Sequence, residues 1–64
     1  MTDAERRRAI EAAANHVRRA RILLHLAGAK RATDAARRAL KSIDGARRHE
    51  QLRPYREERQ RRKH

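Results

Sequence analysis

Small and large apolar residues follow two interleaved rows along the first half of the chain. Each row has a seven-residue spacing, with Ile10, Val17 and Leu24 in one and Ala13, Ala20 and Ala27 in the other. This is the a/d pattern of an amphipathic helix that packs along one face, with alanine in the d row. The pattern is free of proline and glycine before Gly28, so it predicts a first helix over about residues 3–27.

Both ends of this predicted helix carry sequence signals. Thr2 and Glu5 fit the capping box, in which each side chain accepts a hydrogen bond from a free backbone N–H at a helix start. Gly28 suits the left-handed position that ends many helices. We therefore predict a turn at residues 28–29. The alternative is one long helix through Gly28, which would cost about 1 kcal/mol relative to alanine.

A second apolar pattern follows the turn. One row contains Ala29, Ala36 and Ile43, a second contains Ala32, Ala39 and Ala46, and Leu40 widens the stripe. Alanine in both segments would let two helices approach near the short end of the usual range of about 8–10 Å. The predicted fold is all-α, an antiparallel two-helix hairpin over residues 1–52 with an alanine-rich seam and a second helix over about residues 30–48.

The C-terminal part is predicted to be a separate arm. Gly45 can end the second helix, and Pro54 disfavours helical geometry at Arg53, the residue before it. Residues 53–64 are therefore expected to form a basic tail that is partly disordered or contains a short helix.

Large apolar residues are too few for a stable monomer of this kind. Ile22 and Leu26 lie off the seam, four residues apart, and would be exposed in a single hairpin. With Leu40, they form the predicted dimer interface of a homodimer, in which two hairpins make a four-helix bundle. The alternative is that they only enlarge the core near the turn.

Charge points to the class of partner. The chain of 64 residues has 19 Lys and Arg against 8 Asp and Glu, a formal net charge of +11. Such a protein is expected to bind polyanions, nucleic acid first and acidic protein surfaces second. The bias toward arginine and alanine also follows from a GC-rich genome, so the arginine excess alone does not decide the ligand.

The candidate nucleic-acid-binding residues form three groups. The outer surface of the second helix carries a basic stripe of Lys30, Arg31, Arg37, Arg38 and Lys41, the first helix adds Arg18 and Arg19, and the C-terminal part adds Arg47, Arg48, Arg56, Arg59, Arg61 and Arg62. A continuous stripe of this kind can follow a phosphate backbone. The alternative is an ordinary solvated helix face and a solubilising tail.

The residues around the turn partly resemble a helix-turn-helix. Residues 27–33 are similar to the turn of repressor families, but Asp34 and Arg37 occupy positions that need apolar residues, and Leu24 occupies one that is usually small. We therefore assign no family. In plan alone, a dimeric hairpin is similar to small plasmid regulators that bind paired RNA.

Other classes of function have little support in the sequence. No cysteine is present, the four histidines lack metal-ligand spacing, and no nucleophile, acid–base pair or phosphate loop is visible. We expect no enzyme activity and no cofactor or metal. An acidic N-terminus and the absence of a long apolar run predict a soluble, cytoplasmic protein without a membrane partner.

The leading hypothesis is a nucleic-acid-binding homodimer that contacts phosphates with little sequence readout, with DNA favoured over RNA. The alternative is a protein-binding modulator, such as a phage-encoded inhibitor or adaptor, that docks its basic face on an acidic surface of a larger protein.

Overall fold

The computed structural model describes residues 1–62 and consists of two helices, α1 (Asp3–Leu26) and α2 (Lys30–Arg62). The helices pack against each other in opposite directions. Cross-helix ion pairs record this arrangement, because Asp3 at the start of α1 lies 3.5 Å from Arg53, and Arg6 lies 3.8 Å from Glu50. The predicted all-α hairpin is confirmed.

The start of α1 has the geometry that its sequence predicts. The Thr2 hydroxyl accepts a hydrogen bond from the Glu5 N–H at 3.1 Å, and the Glu5 carboxylate accepts one from the Thr2 N–H at 3.2 Å. Asp3 and Glu5 also place negative charge in the first turn, where the helix dipole stabilises it. The capping box is thus confirmed, and α1 begins at the predicted residue.

The turn between the helices is a Schellman motif around Gly28. Gly28 has a φ of 74°, and its N–H donates to the His25 carbonyl at 3.0 Å. The Ala29 N–H donates to the Leu24 carbonyl, also at 3.0 Å, which completes the paired bonds of the motif. Because an L side chain is strained at this φ, glycine is the residue that lets the chain reverse here.

The two glycines give a matched test of the hairpin. Gly28→Ala is expected to destabilise the fold by about 1 kcal/mol, because alanine is strained in the left-handed region. Gly45→Ala, in the interior of α2, is expected to stabilise it by about the same amount through helix propensity. A Cβ at either position has open space, with nothing within 4 Å. Urea unfolding followed by circular dichroism measures both, and equal effects of the same sign would contradict this account of the turn.

The packed face of α1 differs by one position from the predicted seam. Ala13, Ala20 and Ala27 are exposed, whereas Ala14 is fully buried, so the prediction of an Ala13/Ala20/Ala27 row is wrong. The face that meets α2 consists of buried Ala14 and the half-buried Arg6, Ile10, Val17, Arg21 and Leu24. Arginine can belong to such a face because its aliphatic stem packs while its charged end finds a partner, as the Arg6 guanidinium does at Asp3.

The packed face of α2 agrees better with the pattern. Ala29, Ala36 and Ile43 are half-buried as expected, and so are Ala32, Ala39 and Leu40, but Ala46 is exposed. Thr33 is 5% exposed, and its hydroxyl donates to the Ala29 carbonyl at 2.8 Å. A buried hydroxyl with a partner costs little, so the only polar residue in the buried class among residues 1–61 is satisfied.

The second helix does not end where the sequence predicts. Instead of stopping near residue 48 or at the boundary before Pro54, α2 continues to Arg62 as one helix of 33 residues. Proline removes one backbone hydrogen bond and costs about 3 kcal/mol in a helix interior. The Arg53 Nε lies 3.3 Å from the Glu57 carboxylate, an i,i+4 ion pair that spans Pro54. Residues 54–62 extend past the start of α1 as a helical overhang.

Candidate nucleic-acid interface

The outer surface of α2 presents the predicted basic stripe. All five side chains of the stripe are exposed: Lys30, Arg31, Arg37, Arg38 and Lys41. They lie within 12 residues, or about 18 Å of helix, with Asp34 as the single acidic residue among them. Within the described chain, the stripe residues form no ion pair or side-chain hydrogen bond, so their donors face solvent.

The acidic side chains are instead concentrated at the open end of the hairpin. Asp3 pairs with Arg6 and lies 3.5 Å from Arg53. Glu50 lies 3.8 Å from both of these arginines. This network joins the start of α1 to the middle of α2, and it neutralises guanidinium groups that would otherwise add to the exposed positive charge.

The Arg6 and Arg53 guanidinium groups also affect the titration of Asp3. Its pKa lies below the ordinary value of 3.8, chiefly because its carboxylate accepts a hydrogen bond from Arg6 and is attracted by the charge of that residue. The charge of Arg53 acts in the same direction. The Asp3 carboxylate therefore stays ionised to a lower pH than an isolated aspartate would.

A second ion-paired group removes Arg47 from the exposed charges. Its guanidinium pairs with Glu11 of α1 and lies 3.9 Å from Asp44 of α2. The side chain is half-buried between the helices. Of the predicted binding residues, Arg47 is thus the one that the structure places in interhelical contacts instead of on the outer surface.

The other predicted arginines are exposed. The side chains of Arg48, Arg59 and Arg61 are exposed. Arg56 is exposed too, and its guanidinium forms a hydrogen bond with the His49 ring at 2.6 Å. Arg62 ends α2, but its side chain, like Lys63 and His64, lies outside the described residues. Four of the arginines predicted for the C-terminal part are therefore exposed on the far half of α2.

The exposed arginines of α1 are less concentrated. Arg18 and Arg19 are exposed as predicted, and Arg18 donates to the Asn15 side chain at 2.8 Å. Arg7 and Arg8 are also exposed, although the sequence did not single them out. The run Arg6-Arg7-Arg8 could have indicated them, since only Arg6 of the three belongs to the packed face.

Together these positions separate the charge along the hairpin. Residues 12–43, the half that contains the turn, hold eight basic residues and one acidic residue, a net charge of +7. The remaining residues hold eleven basic and seven acidic residues, a net charge of +4. The larger net charge thus falls in the half that contains the turn and the stripe.

An apolar patch lies on the outer face of α1 in the same half. Ile22, Leu23 and Leu26 are 54%, 57% and 76% exposed. Leu40, which the sequence grouped with Ile22 and Leu26, is half-buried and shares a helix face with Thr33 and Ile43. Leu23 therefore joins Ile22 and Leu26 among the exposed large apolar residues of α1, whereas Leu40 on α2 is half-buried.

Within residues 1–62, no group of three or more histidine and acidic side chains is arranged to hold a metal ion. Neither α1 nor α2 is long and apolar enough to cross a membrane. In comparisons with protein families, curated proteins and solved structures, the chain matches none.

Proposed function

We propose that this protein is a homodimeric helical hairpin that binds double-stranded nucleic acid through phosphate contacts, with DNA as the favoured ligand and little sequence readout. The observation that carries the proposal is the separation of charge. Acidic side chains neutralise Arg6, Arg47 and Arg53, whereas the stripe on α2 remains exposed and without ion pairs. A dense row of cations without counter-charges is the electrostatic footprint of phosphate binding.

A duplex suits this surface better than a single strand. Double-stranded DNA carries about one negative charge per 1.7 Å of its axis, against about 3.4 Å for either strand alone. Single-stranded RNA is usually held by stacking of its bases on aromatic side chains. The chain has one aromatic residue, Tyr55. Lysine and arginine contacts to phosphates do not depend on base sequence, so weak readout is expected.

Surface area supports the homodimer. The hairpin exposes 5706 Å². A compact folded monomer of 7.5 kDa would expose roughly 4,250 Å². The excess of roughly 1,450 Å² exceeds the area of about 800 Å² that each partner buries in a standard interface. Ile22, Leu23 and Leu26 are the apolar side chains that a second copy would cover first.

The small core supports the same conclusion. In the described chain, only Ala14 and Thr33 fall in the buried class, and no large side chain is fully buried. Fixing each residue costs about 1–2 kcal/mol of conformational entropy, which so little burial does not offset. Association of two hairpins into a four-helix bundle adds the missing apolar contacts.

The test of nucleic-acid binding is its dependence on salt. Anisotropy of a labelled random-sequence DNA duplex is followed at about 50 to 300 mM salt. Log K should fall linearly with log salt, with a slope near −0.9 per phosphate contact, or about −5 if the stripe of one chain binds. The absence of binding at the lowest salt would refute the proposal. It would leave the protein-binding modulator, with the basic face docked on an acidic protein.

A further inference from the structure

The exposed cations of α2 fall into two groups. The stripe forms the first group, near the turn. The second, which we call the overhang cluster, consists of Arg56 and Arg59 near the end of the helix, and both side chains are exposed. Both groups are on one continuous helix, so their separation is set by helix geometry.

Between the two groups, the exposed surface of residues 42–55 carries little net charge. Arg47 pairs with Glu11 and Asp44, and Arg53 pairs with Asp3, Glu50 and Glu57. Arg48 is the one exposed arginine of this segment without an ion pair in the described structure. The ion pairs that hold the helices together thus also divide the basic surface into two parts.

The two groups share one side of α2. Arg38 and Arg56 are 18 residues apart, and so are Lys41 and Arg59. An interval of 18 residues equals five turns of an α-helix with 3.6 residues per turn. Each pair therefore points in the same direction from the helix axis, away from the face that packs on α1.

The distance between the groups matches a period of DNA. The stripe is centred near residue 35 and the overhang cluster between residues 57 and 58. At 1.5 Å per residue, their centres are about 33 Å apart. One helical turn of B-DNA advances about 34–36 Å, and the phosphates on one face of the duplex recur with this period.

We infer that α2 lies along a DNA duplex and contacts phosphates at two places one helical turn apart, through the stripe and the overhang cluster. The inference rests on the proposed function and adds to it a minimum length of duplex. A duplex shorter than one turn can engage one group only. A duplex of about one and a half turns engages both and releases more counterions.

The experiment measures the salt slope on a series of blunt DNA duplexes of about 8, 12, 16 and 24 base pairs. We expect the slope to become steeper by about 2 between 8 and 16 base pairs, because two more cations each contribute about 0.9, and then to level off. A slope that is the same at every length would overturn the inference while leaving the proposed function intact. Binding to none of the duplexes would instead refute the proposed function.

Two double variants with equal charge separate the overhang cluster from general electrostatics. Arg56→Ala with Arg59→Ala should reduce the change in slope between short and long duplexes to about 1 or less. Arg7→Ala with Arg8→Ala, which removes the same charge from α1, should leave that change as it is. Arg56→Lys with Arg59→Lys keeps the charge and should keep the change, which excludes a loss of helix as the cause. An equal reduction in both alanine variants would contradict the inference.

Discussion

Replacement of Arg37, Arg38 and Lys41 by alanine is expected to weaken binding to every DNA duplex by a similar factor. If each residue neutralises one phosphate, the salt slope becomes shallower by about 2.7, and affinity at about 0.1 M salt falls roughly 10²- to 10³-fold. The loss should be equal for duplexes of different sequence because phosphates carry no base information. The three side chains are exposed and without ion pairs, so the fold should be retained.

The control for this variant is the Arg7→Ala, Arg8→Ala protein, which lowers the net charge elsewhere. It should lose much less affinity per charge removed, since exposed charges beyond about 8–10 Å are largely screened at this salt. Anisotropy titrations give the affinities, and circular dichroism confirms that helix content is unchanged. If both variants lose the same affinity per charge, net charge explains the binding and the stripe is not the contact surface.

Replacement of Ile22 and Leu26 by serine is expected to weaken the proposed dimer about 10³-fold. Each side chain is more than half exposed in the hairpin. Burial of its remaining apolar surface by a second copy should contribute about 1 kcal/mol. The four such side chains in a dimer together contribute about 4 kcal/mol to the free energy of association, which corresponds to a factor of roughly 10³ in Kd. Analytical ultracentrifugation across a range of protein concentration measures this shift directly.

Leu52→Ser is the matched control for the dimer, because Leu52 is an exposed leucine outside the patch, at 47%. It should leave the association constant unchanged. A dimer that unfolds as it dissociates has a Tm that rises with protein concentration. If the serine variant is unfolded, thermal melts of the wild-type protein at several concentrations therefore test the dimer independently. A wild-type protein that is folded and monomeric at micromolar concentration would refute the dimer and its patch.

Local signals in the sequence were sufficient for the start of α1 and the reversal of the chain. The Thr2–Glu5 capping box and the Gly28 turn are both local, because the hydrogen bonds of each join residues within a stretch of six. Such contacts form from side-chain chemistry and backbone geometry alone, whatever packs around them. They determine where α1 begins and ends, and with the heptad rows they determine the all-α hairpin.

Local signals did not determine which residues of α1 face α2. Residues 12–14 are three consecutive alanines, and each is too small to mark the packed face by its own hydrophobicity. In the structure, buried Ala14 shares its helix face with the half-buried Arg6 and Arg21, whereas Ala13 is exposed. A pattern that counts arginine as polar cannot recognise these two arginines as part of the face.

The length of α2 also depended on contacts distant in sequence. Gly45 and Pro54 both predict a helix end by local propensity. The structure carries α2 through both, with Arg53 paired to Asp3 across the hairpin and to Glu57 across the proline. Interhelical contacts of α2 reach from the turn to Arg53 and so include Gly45, whereas the contact across Pro54 is the local pair of Arg53 with Glu57. The overhang exists because α2 is longer than α1.

By itself, the sequence determined the helical hairpin, its turn and the excess of positive charge, because these follow from neighbouring residues and from composition. The tertiary structure decided which of the charges remain exposed. Arg6, Arg47 and Arg53 look like any other arginine in the sequence, and only the antiparallel pairing of α1 with α2 brings Asp3, Glu11 and Glu50 against them. Ion pairs between residues that are 36 to 50 positions apart cannot be read from local spacing.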